Sequence, residues 1–381
     1  MPTRRARAAY EWVDTAEGLA AAAKRLSKAR TIGLDTEADS FYHYFHKCCL
    51  LQISDGERVF LVDVLAIRQP DALKEIFAAE RSVKILHAAE QDILYLRRDF
   101  AFDIHPVFDT MIAAQLLGKP SVGLAGLLSA YFGAKLDKGC QRDDWSKRPL
   151  TDRQKAYAAA DVRQLIPLRD ALLAELEATG RLDWAEEEFE VVANRSREPR
   201  EFDPDDFWGL KGARDLEPRN ATILKELYVM RDVRARAADL PPFRIVSDAT
   251  LVALARRAPR SLNEVDGIKG FTPLVRRRIG SAVIDAINQG LAKKEARRPK
   301  PASGQNRRRT ASFKVRVERL RAWRKVASAA LGLDPGVLFP QSTLEALAAS
   351  GLAGLENPES IPGMRQWRRR LLLPEAKTLL D

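Results

Sequence analysis

Cysteine is scarce: the chain has three in 381 residues, with Cys48 and Cys49 adjacent, Cys140 alone and no C-x-x-C pair anywhere. That excludes a disulfide scaffold, a zinc knuckle and a redox dithiol together. Histidine is nearly as rare, and His43, His46, His87 and His105 lack the H-E-x-x-H spacing of a zinc hydrolase. Neither G-x-S-x-G nor G-x-x-x-x-G-K-[ST] occurs. No uncharged apolar run approaches the ~18 residues that a spanning helix needs, so no membrane association is expected. Arg4, Arg5 and Arg7 are followed by Glu11 and Asp14 before any apolar core can form. A secretory signal is therefore not expected, and the chain reads as cytoplasmic. If it is an enzyme, carboxylates must do most of the chemistry.

What is present is charge, unevenly placed. Residues 1–250 carry 37 Lys and Arg against 41 Asp and Glu, whereas residues 251–381 carry 26 against 11. The whole basic excess of +11 arises in the last third, which suits a polyanionic partner such as nucleic acid as well as it suits solvated helix faces. At 46% apolar and 30% charged residues, the composition is that of a globular chain of two or three domains. Asp203-Pro204-Asp205-Asp206 interrupts any helical period, and the polar, basic stretch from Ala296 to Arg309 has no apolar periodicity. These breaks suggest a first domain over 1–195, a linker over 196–218, a helical domain over 219–294, a basic linker over 295–313 and a second helical domain over 314–381.

Short apolar runs alternate with helical stretches in the first part. Residues 31–34, 49–53, 59–62 and 83–86 predict four strands, and 16–29, 70–79, 89–98, 109–117, 123–132 and 151–178 predict helices, which makes the domain α/β. Beyond residue 218 strand signals vanish. Helical patterns over 219–238, 248–257 and 272–291 are followed by another set over 314–331, 341–349 and 365–379. Ile245 to Ala255 parallels Leu338 to Ala348, a repeat of about 90 residues that implies two copies of one small helical domain rather than a solenoid.

The carboxylates fall at positions that can converge. Asp35-Thr36-Glu37 follows directly on the first apolar run, and period-2 geometry turns both acids to one face of the strand end. Asp92 falls in the first turn of a helix that follows a strand ending near His87. Tyr157 and Asp161 stand four residues apart in a helix, one above the other, separated by three alanines. Each feature alone is weak, but four carboxylates without histidine or cysteine suit Mg²⁺ or Mn²⁺. Two such ions ~3.5–4 Å apart are a standard device for in-line phosphodiester cleavage.

Asp35, Glu37, Asp92, Tyr157 and Asp161 together resemble the DEDDy pattern of 3′–5′ exonucleases. The flanking stretches Leu50-Leu51-Gln52-Ile53-Ser54, Val107-Phe108-Asp109-Thr110 and Asp144 through Thr151 look like the ribonuclease D family in particular. The two helical repeats resemble the helicase-and-ribonuclease-D C-terminal (HRDC) domain. The resemblance implies a ribonuclease H-like exonuclease domain with a mixed central sheet, followed by two small all-α domains. It also implies that Asp35, Glu37, Asp92 and Asp161 hold two divalent metal ions (Mg²⁺ or Mn²⁺), while Tyr157 orients the attacking water. The expected activity is 3′-to-5′ hydrolysis of RNA to nucleoside 5′-monophosphates, with transfer-RNA precursors carrying 3′ extensions as partner and the enzyme a monomer.

Substrate contacts are expected from His87, from Phe41 and Tyr42 by base stacking, and from Arg276, Arg277, Arg307 and Arg308 at phosphates. Arg368-Arg369-Arg370 is a further basic triplet of the same kind. Asp109 is expected to cap the helix that starts at Thr110, and Trp323 and Trp367 to serve packing. Two other functions compete: a DNA exonuclease of repair, and a nucleic-acid-binding protein with an inactive nuclease domain. Possession of all four carboxylates and Tyr157 argues against the second.

Overall fold

A computed structural model describes residues 10–137, 139–195, 202–296 and 310–381. The described residues divide into two compact units that cut across chain order. One holds residues 10–38, 48–195 and 310–381, and the other holds 39–47 together with 202–296.

The first unit is built on a six-stranded mixed sheet of order β1-β4-β3-β2-β5-β6. Its strands are β1 (Glu11–Val13), β2 (Thr31–Ala38), β3 (Cys48–Ser54), β4 (Val59–Val62), β5 (Val83–Leu86) and β6 (Val107–Asp109). β2 lies inside the sheet, antiparallel to β3 and parallel to β5. Every residue of β3 and β4 is buried, because helices cover both faces. Cys48 and Cys49 illustrate this. They point to opposite faces of β3 and both are buried, one in each of the two apolar layers. The three-residue strands β1 and β6 carry too short a pattern to be seen by alternation.

Gly33 of β2 sets the helix layer close. A Cβ there would come within 3.1 Å of the Val162 carbonyl, so glycine lets the Asp152–Arg163 helix lie a few tenths of an ångström nearer the strand than a side chain would. That helix begins with a capping box between Thr151 and Gln154, which satisfies its first free N–H groups. The single helix expected over 151–178 is two, Asp152–Arg163 and Leu165–Ala178. Pro167 is the reason: it offers no N–H to the Arg163 carbonyl and its ring clashes with it. A further helix, Leu182–Ala193, lies beyond the helices that the sequence pattern predicts.

The C-terminal residues of this unit form the second helical repeat, with main helices Ala311–Leu331, Gln341–Ser350 and Gln366–Leu372. Its apolar residues belong to the same core as the nuclease sheet and helices. Arg368 is buried and ion-paired with Glu188 at 2.6 Å, which removes it as a phosphate contact. Arg369 donates to the Leu355 carbonyl and Arg370 pairs with Asp183.

The second unit contains the first repeat, with helices Pro218–Ala237, Asp248–Arg257 and Pro273–Ala292. Both repeats close the same way: Thr250 Oγ1 donates to the Lys269 carbonyl at 3.2 Å and Thr343 Oγ1 to the Pro362 carbonyl at 2.7 Å. Residues 39–47, the continuation of β2, pack on this repeat. The Asp239 carboxylate takes His43 Nδ1 at 2.7 Å and the Phe45 N–H at 3.0 Å, and Tyr44 donates to Asp232 at 2.6 Å. Among the described residues, no helix is long and apolar enough to cross a membrane.

Candidate active site

β2 ends in Asp35-Thr36-Glu37, and its pairing with β3 shifts register between Glu37 and Ala38. Such a bulge re-aims the side chains beside it. Asp35 and Glu37 project to one face, and the Asp152–Arg163 helix covers that face with Ala158, Ala159 and Val162, all fully buried. Asp161, on the same helix, completes a group of three. Asp35, Glu37 and Asp161 each offer a carboxylate oxygen within 4.8 Å of the others.

Asp92 enters differently. It lies buried in the first turn of the Glu90–Phe100 helix, and its Oδ1 accepts the Thr36 hydroxyl at 2.5 Å. Thr36 alternates to the side of the strand away from Asp35 and Glu37, so Asp92 sits at the margin of the three-carboxylate group rather than in it. Its charge is nonetheless felt at Asp35 and Glu37. Thr36 was legible as the middle residue of the motif, but its role as the tether of Asp92 was not.

The electrostatics of the group follow from crowding like charges with few counter-charges. Desolvation pushes Asp35 and Glu37 well above the carboxylate range, and neighbouring acids push them further. Burial raises Asp92 to about 7, against the Thr36 hydrogen bond that lowers it. Asp161 rises to about 6 by desolvation, moderated by the hydroxyl that Tyr157 donates to it. Tyr157 itself is raised by burial and by the charges of Asp161, Glu37 and Asp35, so its phenol holds its proton throughout the physiological range.

His87 lines the same cavity of about 300 Å³ as Asp35, Tyr157 and Asp161. Thr110 gives its single hydroxyl proton to the Leu86 carbonyl at 3.0 Å, so at 2.9 Å its oxygen accepts from His87 Nδ1–H. That leaves Nε2 as an acceptor, and burial lowers the ring's pKa, keeping it neutral. Asp109 holds this corner together: its carboxylate accepts the N–H groups of Met111 and Ile112 as a helix cap and those of Ala88 and Ala89 beside His87.

Of the remaining expected contacts, Phe41 and Tyr42 belong to the second unit. Phe41 is exposed, and Tyr42 lies under the Arg244 guanidinium at 4.2 Å. Arg277 is exposed, whereas Arg276 pairs with Asp266 at 3.1 Å. Arg307 and Arg308 lie outside the described residues. A larger hollow in the first unit, about 580 Å³, is lined by Glu80, Asp103, Glu186, Glu187 and Glu190 with His105. That acidic lining repels phosphate.

A donor set of three carboxylates, with a fourth beside it and no sulfur or imidazole ligand, fits hard divalent cations of the Mg²⁺ or Mn²⁺ type. Comparison with known proteins agrees with the chemistry. A family model described as a 3′–5′ exonuclease matches residues 10–177, and an HRDC domain model matches 220–287 and 313–375. Ribonuclease D of Xanthomonas oryzae pv. oryzae is 33% identical over 363 residues, covering 94% of this chain and 95% of that protein. Ribonuclease D of Escherichia coli K12 is 35% identical over 261 residues, 68% of this chain and 69% of that one. The crystal structure of Escherichia coli RNase D, an exoribonuclease involved in structured RNA processing, matches with a TM-score of 0.73 at 28% identity, over 97% of this chain and 98% of its own. With its nuclease sheet, its acidic cluster and its two HRDC repeats, the chain belongs to the ribonuclease D family and is a 3′–5′ exoribonuclease.

Proposed function

We propose that Asp35, Glu37, Asp92 and Asp161 hold two divalent cations at the 3′-terminal phosphodiester of an RNA, and that Tyr157 orients the attacking water. The natural substrates are transfer-RNA precursors with 3′ extensions, processed by a monomer in the cytoplasm. The single observation carrying this reading is the approach of Asp35, Glu37 and Asp161 to within 4.8 Å, an arrangement that repels itself unless cations or protons fill it. When bound, the cations lower the pKa of the attacking water and neutralise charge at the leaving 3′ oxygen.

The chain's own residues do the rest. Tyr157 donates its hydroxyl hydrogen bond to Asp161, so its oxygen is left to accept a hydrogen bond from the water and turn a lone pair toward phosphorus. It does not act as a base, because its surroundings hold the phenol protonated. His87, which lines the cavity and keeps Nε2 as an acceptor, suits a ribose hydroxyl better than a phosphate. Phe41, Tyr42, Arg276 and Arg277 are assigned to further contacts with the RNA, the aromatics to bases and the arginines to phosphates.

The test is hydrolysis of matched 5′-labelled single-stranded RNA and DNA with Mg²⁺ or Mn²⁺, beside an EDTA control. A ladder shortening from the 3′ end of RNA, abolished by EDTA, is the expected result. Equal or faster loss of DNA contradicts the assignment to RNA.

A further inference from the structure

Gln52 stands in the middle of β3, fully buried, between Leu51 and Ile53. It pairs directly with Asp35 across the antiparallel β2–β3 ladder and with Leu61 on its other side. Directly opposed residues project to the same face, with Cβ atoms about 5 Å apart. The Gln52 carboxamide is therefore Asp35's neighbour on the face that the Asp152–Arg163 helix covers. Among the described residues, neither its Nε2 nor its Oε1 has a hydrogen-bond partner. Other buried side chains lack a partner at one atom, such as Trp145 Nε1 or Gln164 Oε1, but Gln52 alone in the described residues lacks one at both ends.

An amide buried with both dipoles unanswered is destabilising, and a leucine would fill the place at no such penalty. Its neighbours along the strand are apolar: Cys49, Leu50, Leu51 and Ile53 are all fully buried.

We propose that Gln52 is a positioning residue for the cation-binding carboxylates, donating Nε2–H to the Asp35 carboxylate when the cluster holds its cations. This rests on the cation-binding reading given above. The hydrogen bond fixes the orientation of Asp35, as outer partners of metal ligands do elsewhere, where their loss weakens metal binding about 10–100-fold.

The experiment compares wild type with Gln52→Leu by Mn²⁺ titration calorimetry and by thermal melting in EDTA. The variant is expected to melt in EDTA at or above the wild-type temperature while binding Mn²⁺ at least tenfold more weakly. Wild-type Mn²⁺ affinity in the variant overturns the proposal, whether or not its melting temperature changes. Should Gln52→Leu fail to fold, Gln52→Met, nearly the same shape without the amide, carries the same two readouts. If wild type itself binds no Mn²⁺, the cation-binding reading falls and this inference with it, an outcome distinct from equal binding by the two proteins.

Discussion

Trp184 and Trp367 stack with ring centroids 4.7 Å apart and planes 10° from parallel, joining the nuclease body to the second helical repeat. Around them Glu188 accepts from Trp367 Nε1 and pairs with both Arg365 and Arg368, while Glu187 takes the N–H groups of Gln366 and Trp367. Glu187 and Glu188 thus hold the C-terminal helix rather than a ligand.

Glu188→Ala leaves Arg368 a buried cation with only carbonyl acceptors, those of Leu338, Gly363 and Val337. Breaking one side of a buried pair costs about 3–5 kcal/mol, and the three remaining carbonyls put this case near the lower end. Thermal melting should fall by several degrees, and limited proteolysis should release the C-terminal repeat first. An unchanged melting temperature would show that the pair contributes nothing.

The raised carboxylates tie stability to pH. Unfolded Asp and Glu titrate near pH 4, whereas Asp161 and Asp92 in the folded chain titrate at about 6 and about 7 and Asp35 and Glu37 are also raised. Between these limits the folded state holds protons that the unfolded state has released. The stability these groups contribute is complete below about pH 4 and is lost as pH rises through 6 and 7. In EDTA the melting temperature should therefore decline from pH 5 to pH 7.5, and Mn²⁺ should restore it most strongly at pH 7.5. The Asp35→Asn, Asp161→Asn double variant should show a shallower decline; an equal slope would separate the pH effect from this cluster.

Tyr157→Phe keeps the ring against Trp145, whose centroid is 6.0 Å away, and removes only the hydroxyl. Turnover should fall by about 10²-fold or more with the KM for RNA little changed, as for loss of a group that acts at the reacting water. A rise in KM at constant turnover would make Tyr157 a binding residue.

Gly33→Ala tests the seat of the Asp152–Arg163 helix. The new methyl meets the Val162 carbonyl at 3.1 Å, so the helix must yield by a few tenths of an ångström and carry Tyr157 and Asp161 with it. About tenfold loss of turnover is expected in a protein that still folds, since misplacement by 1 Å can cost about 10²-fold. Full activity would show that the site tolerates the shift.

Much of the nuclease was legible because its signals are local. The apolar run before Asp35, the helix start at Thr151 and the four-residue step from Tyr157 to Asp161 each declare themselves within a few residues. β1 and β6 escaped because three residues are too few for a period. The Leu182–Ala193 helix escaped because its buried positions Ala185, Phe189 and Val192 are interleaved with four glutamates. Convergence of the acids could be inferred from motif order, but the exclusion of Asp92 from the inner three depends on Thr36, a contact 56 positions apart in sequence. Likewise nothing local marks Arg368 as buried, since its counter-ion Glu188 lies 180 positions away.

Asp161→Ala is the most direct test of the carboxylate cluster as the hydrolytic centre, assayed in parallel for 3′-end shortening of labelled RNA and for RNA binding. Hydrolysis should vanish while binding stays close to wild type, because the basic excess lies in residues 251–381 and the substitution removes a negative charge. A variant that shortens RNA at the wild-type rate would take Asp161, and the cluster built around it, out of the reaction.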